Sequence, residues 1–198
     1  MIPDSDQESS FFCWSGRNQG TNIENNCINI HTEGVEGMLT YRKLAREDLD
    51  TICAFPANEE ELFCVSPKFQ HPLTPEQILQ VLEGRFNPTV ITREDHSEPL
   101  AYANLYDKDE ELHSCWLGNV IVSPEHRGTD VSSFLLESMI GQARNEHNIH
   151  TLKLFCHNTN TRALIFYCRH GFIPCGYKIF PYLNQGKIVG IEMFKKLG

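Results

Sequence analysis

Two blocks of the sequence hold residues whose types and spacing suit a phosphate-bearing ligand. In the first, Asn119–Ser132, a strand pattern passes through Arg127 and Gly128 into a helix start. A glycine there lets the backbone approach an anion, and the free N–H groups and positive dipole end of the helix favour negative charge. The second block, Asn160–Phe172, follows at the distance of one helix and one strand. Together the two blocks predict a site for a long phosphate-bearing cofactor.

Each block also has a purely structural explanation. Thr129 or Asp130 could cap a helix at an ordinary strand-to-helix turn, and on local grounds this is as good an interpretation as anion binding. Asn160 is likewise a suitable N-cap for a helix that Gly171 would end. For Asn160 the structural and the ligand-binding roles do not exclude each other.

Periodicity and turn residues predict the elements that position these blocks. Thr74, Pro75 and Gln77 predict a helix start with a capping box. We also expect helices over 45–55, 130–147 and 161–170, and strands over 39–44, 89–92, 100–106, 112–122, 151–155, 177–183 and 187–194, with the last two joined by a turn at 184–186. This order predicts an α/β fold, a single-domain mixed sheet with flanking helices.

The first 37 residues differ from the rest of the chain. Residues 1–37 are rich in Asn, Ser, Gln, Gly and acidic residues, and Arg17 is their only basic residue. This composition buries too little apolar surface to offset the entropy of ordering, so we expect a flexible N-terminal extension before a folded domain over 38–198. The apolar patch Phe11–Trp14 could dock on the domain or a partner, or remain unstructured.

Composition narrows the class of protein. The length of 198 residues suits one domain, and the net charge of −9 argues against a nucleic-acid binder. No apolar run reaches the roughly 20 residues of a membrane span, and the N-terminus lacks the features of a signal peptide. We therefore expect a soluble cytoplasmic protein with no nucleic-acid or membrane partner.

The cysteines and histidines predict no metal site. Eight cysteines are spread along the chain without a Cys-x-x-Cys pair, so we expect reduced thiols. The only grouping that suggests metal ligands lacks the close spacing of zinc sites. It comprises His113, Cys115, His150, Cys156 and His157.

With these motifs the chain resembles the GNAT superfamily of acyl-CoA N-acyltransferases. In that family a strand ending in Val-x-Pro leads into an Arg/Gln-x-x-Gly-x-Gly/Ala turn, which Val122-Ser123-Pro124 and Arg127 match. The resemblance covers about Leu39 to Leu197 and includes the element order. The family block Asn-x-x-Ala-x-x-x-Tyr-x-x-x-Gly-Phe is matched by Asn160, Ala163, Tyr167, Gly171 and Phe172.

The resemblance implies a central pair of parallel strands that splay apart to admit the pantetheine arm of acetyl-CoA, with a bulge at Gly118-Asn119. The backbone N–H of Val120 would face the thioester carbonyl, and Val122 would pair with a pantetheine amide. Tyr167 would protonate the departing thiolate, although a core tyrosine would look the same in sequence. The implied CoA-binding residues are Val120, Ile121, Val122, Arg127, Gly128, Thr129, Asp130, Val131, Ser132, Ser133, Asn160, Ala163 and Tyr167.

Two residues depart from the family turn and leave more than one function open. Asp130 stands at the second glycine of the turn, where a carboxylate would repel a pyrophosphate and add bulk, and Ser132 stands at the Gly/Ala position. We expect an N-acetyltransferase that moves an acetyl group from acetyl-CoA to a primary amine by direct attack in a ternary complex. The alternative is a CoA-binding or regulatory module with little turnover, and a weaker one is a phosphate-ligand binder outside the acyltransferases.

The general base and the acceptor are less well specified. The candidate bases lie at or near the entry of the strand that would carry the acyl group and could act directly or through water: Glu110, Glu111 and His113. The two glutamates also suit a solvated acidic turn, so His113 is the first to test. The acidic composition favours a cationic small amine or a basic peptide N-terminus. The oligomeric state stays open, with a homodimer among its options. Four residues could line the acceptor pocket or pack in the core: Phe63, Phe69, His71 and Tyr106.

Overall fold

The computed structural model describes residues 37–183 and 186–198 and gives them seven strands and five α-helices. The strands are β1 (Leu39–Lys43), β2 (Arg85–Arg93), β3 (His96–Asp109), β4 (Ser114–Val122), β5 (Thr151–His157), β6 (Ile173–Pro181) and β7 (Lys187–Lys196). The helices are α1 (Leu49–Cys53), α2 (Glu59–Val65), α3 (Pro75–Leu82), α4 (Asp130–His147) and α5 (Thr161–Arg169). Apart from Gly37, the predicted N-terminal extension lies outside the described residues, and so do residues 184 and 185 of the predicted hairpin turn.

The strands form one sheet in the order β1-β2-β3-β4-β5-β7-β6. Neighbouring strands are antiparallel except for β4 and β5, which run parallel. These two pair only at their beginnings, where Ser114–Trp116 lies opposite Thr151–Lys153. Beyond these pairs the strands separate, so the predicted mixed sheet with a splayed central parallel pair is confirmed.

Helices cover both faces of this sheet, and each face has its own core. On one face α4 and α5 bury Leu135, Met139 and Phe172, and on the other α1, α2 and α3 bury residues such as Ile52 and Leu62. Side chains alternate between the two faces of a strand, and accordingly Ile121 packs in the second core while its neighbours in β4 pack against the first. The end of β4 is therefore held from both sides.

At the start of α3 the predicted position of the helix is right and its predicted capping is wrong. The helix begins at Pro75 as predicted, but the Thr74 side chain makes no capping hydrogen bond. The Gln77 side chain instead accepts from Gln70 N–H at 2.7 Å and donates to the Pro72 carbonyl at 3.0 Å. The predicted capping box is therefore wrong, because Gln77 is used to hold the preceding loop.

Other boundaries also differ from the prediction, and α2 has no counterpart among the predicted helices. β2 begins four residues earlier than expected, since Arg85 and Phe86 pair with Tyr106 and Leu105 across an irregular stretch. The predicted helix over 45–55 is a 3-10 turn at Arg46–Asp48 followed by the short α1. No helix within the described residues combines the length and apolar character needed to cross a membrane.

Candidate active site

The candidate site begins where β4 and β5 separate. Between its pairings with Tyr102 and Asn104, β4 contains one residue more than β3, and Asn119 takes up this bulge with a φ of 52°. The bulge lies where the sequence places it, at Gly118-Asn119. On the side facing β5, the edge Leu117–Val122 has no strand partner. Apart from the Val122 carbonyl, which accepts from Arg127 Nε at 3.2 Å, the backbone groups that point outward from this edge can therefore pair with an extended ligand.

The turn between β4 and α4 presents unpaired backbone donors. Gly128 has a φ of 80°, a conformation that glycine adopts without cost. Thr129 caps α4 as expected, because its hydroxyl accepts from Val131 N–H at 3.3 Å. Within the described part of the chain, the N–H groups of Gly128, Asp130 and Ser132 have no hydrogen-bond acceptor. With the positive end of the 18-residue α4 behind them, these donors form a candidate anion site.

The Arg127 side chain is engaged away from these donors. Its Nη1 and Nη2 each donate to the Glu61 carboxylate at 3.0 Å, and Nη2 also donates to the Phe55 carbonyl at 2.9 Å. Hydrogen bonding by this guanidinium lowers the pKa of Glu61. Arg127 thus ties the β4–α4 turn to α2, and the groups left for an anion are those of the backbone.

The first turn of α4 contains the residues that depart from the family pattern. Asp130 is exposed as the first residue of α4, where a carboxylate stabilises the helix by interacting with the positive end of its dipole. Ser132 and Ser133 are half-buried, and Ser133 Oγ lies 3.2 Å from His170 Nε2, which links α4 to the end of α5. The carboxylate is therefore free to turn toward solvent, although it remains beside the candidate anion site.

Tyr167 of α5 lies in the wall of a cavity beside the splayed strands. Its side chain is buried, and its ring packs edge-on against Phe172 at 5.7 Å. Burial raises the pKa of the Tyr167 phenol, so the group stays protonated across the physiological range. Asn160 caps the same helix, accepting from Ala163 N–H at 3.2 Å. Its predicted structural role is confirmed, and its contact with pantetheine stays a prediction.

The cavity has a volume of about 490 Å³ and draws its lining from both sides of the splayed strands. Val120 lines it from β4, which brings the two sequence blocks to one place. An aromatic wall crosses it, formed by Trp116 stacked on Phe155 at 4.8 Å and by Phe180 edge-on to Phe155 at 5.8 Å. This wall offers apolar surface to the body of a ligand.

Two polar side chains in the cavity lining contain buried atoms that make no hydrogen bond within the described residues. Within the described residues, both amide atoms of Asn119 and Nδ1 of His157 are buried without a hydrogen bond. His157 stacks on Phe63 at 4.9 Å, and burial lowers the pKa of its imidazole, so the ring is neutral at pH 7. From the sequence, His157 is predicted only as a weak metal ligand and Asn119 only as part of a bulge. The signal that could have identified His157 is its position, as a polar residue at the end of β5, the strand that follows the one with the bulge.

The predicted base lies elsewhere. His113 precedes β4 at the end opposite the splay, stacks on His150 at 4.7 Å and has Nδ1 3.3 Å from Asn148 Nδ2. It does not line the cavity, and Glu110 and Glu111 are exposed in the adjoining turn. A catalytic role for His113 stays a prediction to be tested.

The residues predicted for the acceptor pocket divide between pocket and core. Tyr106 lines the cavity, and Phe63 touches it through its stack on His157. Phe69 is buried in the core under α1 to α3, and His71 is exposed. Among the described residues, no three His, Cys, Asp or Glu side chains are close enough together to hold a metal ion.

Comparison with known proteins agrees with this geometry. A sequence model of the acetyltransferase (GNAT) family matches residues 49–172. The spermidine N-acetyltransferase from Vibrio cholerae, solved with CoA and spermine, superposes with a TM-score of 0.66 at 18% identity, covering 80% of this chain and 95% of that one. The ribosomal-protein-S18-alanine N-acetyltransferase from Escherichia coli gives a TM-score of 0.60 at 20% identity, covering 81% and 95%. No curated protein is significantly similar in sequence.

Proposed function

Since this chain belongs to the acetyltransferase (GNAT) family, we propose that it transfers an acetyl group from acetyl-CoA to a primary amine of a small molecule or peptide. The amine attacks the thioester directly in a ternary complex. The observation that carries the proposal is the unpaired edge of β4, Leu117–Val122, which borders the cavity and leads into the Gly128 turn. These features supply a cleft for a long ligand and a place for its phosphates.

The opening between the separated ends of β4 and β5 is called the slot, and different residues around it bind different parts of acetyl-CoA. The pyrophosphate binds the free N–H groups of the turn, those of Gly128, Asp130 and Ser132, as an anion binds a helix N-terminus. The pantetheine arm pairs with the free edge of β4, in particular with the N–H of Val122, whose carbonyl accepts from Arg127 Nε, and it passes Asn160 and Ala163 at the start of α5. The N–H of Val120 faces the thioester carbonyl and stabilises its oxyanion.

The chemistry needs one proton donor and one proton acceptor. As the amine nitrogen bonds to the carbonyl carbon, the carbon–sulfur bond breaks and Tyr167 protonates the departing thiolate. The amine proton passes to a base. His157 is better placed for this step than His113, because a neutral imidazole in the cavity wall faces the incoming amine.

The second candidate function rests on Asp130. If its carboxylate weakens the pyrophosphate site, the domain would bind CoA poorly and act as a regulatory module with little turnover. For an exposed carboxylate about 5 Å from a phosphate charge, the repulsion is about 1 kcal/mol, which corresponds to roughly fivefold in affinity. This effect is small enough for catalysis to survive it.

A CoA-release assay with acetyl-CoA and a panel of amines, amino acids and peptides tests the enzyme. Tyr167→Phe should lower kcat by about 100-fold or more, because the thiolate loses its acid, while the Kd for CoA changes little. No release above background with any acceptor would count against catalysis. Calorimetric titration of CoA into wild type and Asp130→Gly separates the alternatives: strong wild-type binding removes the reason for the regulatory module, and binding rescued only by glycine supports it.

A further inference from the structure

Arg85 is a half-buried cation in the cavity lining. Its Nη1 donates to Asn104 Oδ1 at 2.8 Å, and its guanidinium carbon lies 4.3 Å from the centre of the Tyr106 ring. Within the described residues, no Asp or Glu oxygen is at ion-pair distance from it. Burial lowers the pKa of this guanidinium, which still remains charged. A partly desolvated charge of this kind is costly unless a ligand pairs with it.

The surroundings hold the guanidinium in place. Asn104 is fully buried, and its Nδ2 donates to the Tyr102 hydroxyl at 2.7 Å, which fixes the orientation of the amide that accepts from Arg85. Gly118 provides the space above the sheet, because a Cβ at this position would collide with Arg85 Nη1 and lie 2.8 Å from Tyr106 Cε1. These contacts hold the guanidinium over Gly118, which lies two residues before Val120 and beside the bulge.

The carboxylates of the cavity leave this charge uncompensated. Glu192 lines the cavity from β7, two strand spacings or about 10 Å from β4, over which the guanidinium lies, and it makes no ion pair with Arg85. Asp107 is exposed in the lining and makes no ion pair with Arg85. The end of the cavity next to the slot is therefore cationic, although the chain as a whole is acidic.

We propose that Arg85 binds the carboxylate of the acetyl acceptor, so that the acceptor is an α-amino acid rather than a polyamine or a simple amine. This inference rests on the proposed acetyltransferase function. The fork of a guanidinium binds a carboxylate through two parallel hydrogen bonds. With the carboxylate on Arg85, an amine one carbon away is held beside the β4 bulge, and the side chain of the amino acid lies against the wall of Trp116 and Phe155.

Matched acceptors test the proposal. Amino acids with small, aliphatic, aromatic and basic side chains are each compared with their carboxamide and their decarboxylated amine in the CoA-release assay. The acid should be the best of its set, and Arg85→Gln should lower its kcat/KM by about 10- to 100-fold, the usual cost of losing a charged hydrogen-bond pair. The same variant should leave the carboxamide and the amine within about twofold. Arg85→Lys should retain part of the activity, since it keeps the charge and loses the fork.

Arg46→Gln, an exposed arginine outside the cavity, is the matched control, and the Kd for CoA and the thermal midpoint verify that each variant is folded. Equal activity with acid, carboxamide and amine would overturn the inference and leave the acetyltransferase standing. If no acceptor releases CoA, the proposed function fails and calorimetry with 3-phenylpropanoate still decides the inference. Binding to wild type that is lost in Arg85→Gln supports it, and no binding, or equal binding by both proteins, overturns it.

Discussion

The most informative single residues at the site are those whose buried polar atoms lack a hydrogen-bond partner. Asn119 and His157 bury polar atoms without a partner among the described residues, and both line the same cavity. A buried unsatisfied group costs about 1–3 kcal/mol, so its retention suggests that a ligand completes it. His113, by contrast, is held in a stack with His150 on the far side of the parallel pairing. At this scale, His157 is the better candidate for the base.

The pH dependence of the reaction distinguishes the two histidines. Burial lowers the pKa of His157, so the acid limb of kcat/KM should lie below the ordinary histidine value of about 6.5. His157→Gln should lower kcat by about 100-fold and remove that limb. His113→Gln is the matched comparison, and a limb that vanishes only in that variant would return the role to His113.

The same shift affects folding. Because the folded-state pKa lies below the unfolded one, the unfolded chain binds more protons, and stability falls as the pH drops below about 6.5. Kinetic profiles therefore need a parallel check of the folded fraction.

Among the elements, the β4–α4 turn depends on α2 as much as on its own residues. The Arg127 guanidinium bridges Glu61 and the Phe55 carbonyl, residues 66 and 72 positions away along the chain. Both partners of this ion pair are about two-fifths exposed, at 40% and 36%, so solvent screens the interaction. Its contribution to the protein is therefore positional, because it fixes the turn that carries the backbone donors against α2.

A double-mutant cycle with Arg127→Gln and Glu61→Gln measures this bridge. Urea unfolding at pH 7 should give a coupling free energy of about 0.5–1 kcal/mol. Since Arg127 lowers the pKa of Glu61, the stabilisation is present above the ordinary Glu pKa of about 4.3 and is lost as the pH falls through the lowered folded-state value. A coupling that stays the same at pH 3 would contradict an ionic bridge.

For the whole molecule, the described residues contain the sheet, both cores and every group of the candidate site. The net charge of −9 and the cationic Arg85 end of the cavity differ in sign. Overall charge is therefore a poor guide to the acceptor if, as we propose, local groups recognise it. The expectation of a basic acceptor, drawn from composition, is replaced in our proposal by that of an amino acid.

A variant that comprises residues 38–198 tests whether the first 37 residues contribute to the site. We expect its thermal midpoint to stay within about 5 °C of the full chain and its Kd for CoA within about threefold, because the predicted extension buries little. Differential scanning calorimetry and CoA titration provide the comparison. Loss of CoA binding in a variant that still melts cooperatively would show that the N-terminal residues complete the site.

Several features were predictable because their causes are local. Caps such as Thr129, the left-handed Gly128 and the order of hydrophobic periods depend on residues within a few positions of each other. The two spaced blocks predicted the family and the splayed strands. The start of α3 shows the limit of such signals, since Gln77 found partners in the preceding loop rather than at Thr74.

The sequence by itself determined the element order, the family and the place of the slot, because these follow from short-range backbone preferences and a recognisable motif. Only the tertiary structure decided that Arg127 binds Glu61, that His157 rather than His113 lines the cavity, and that Arg85 makes no ion pair with an acidic side chain of the described residues. Each of these depends on which strands become neighbours. The chemical role of a side chain is set by groups that packing brings to it from distant parts of the chain, and periodicity carries no information about them.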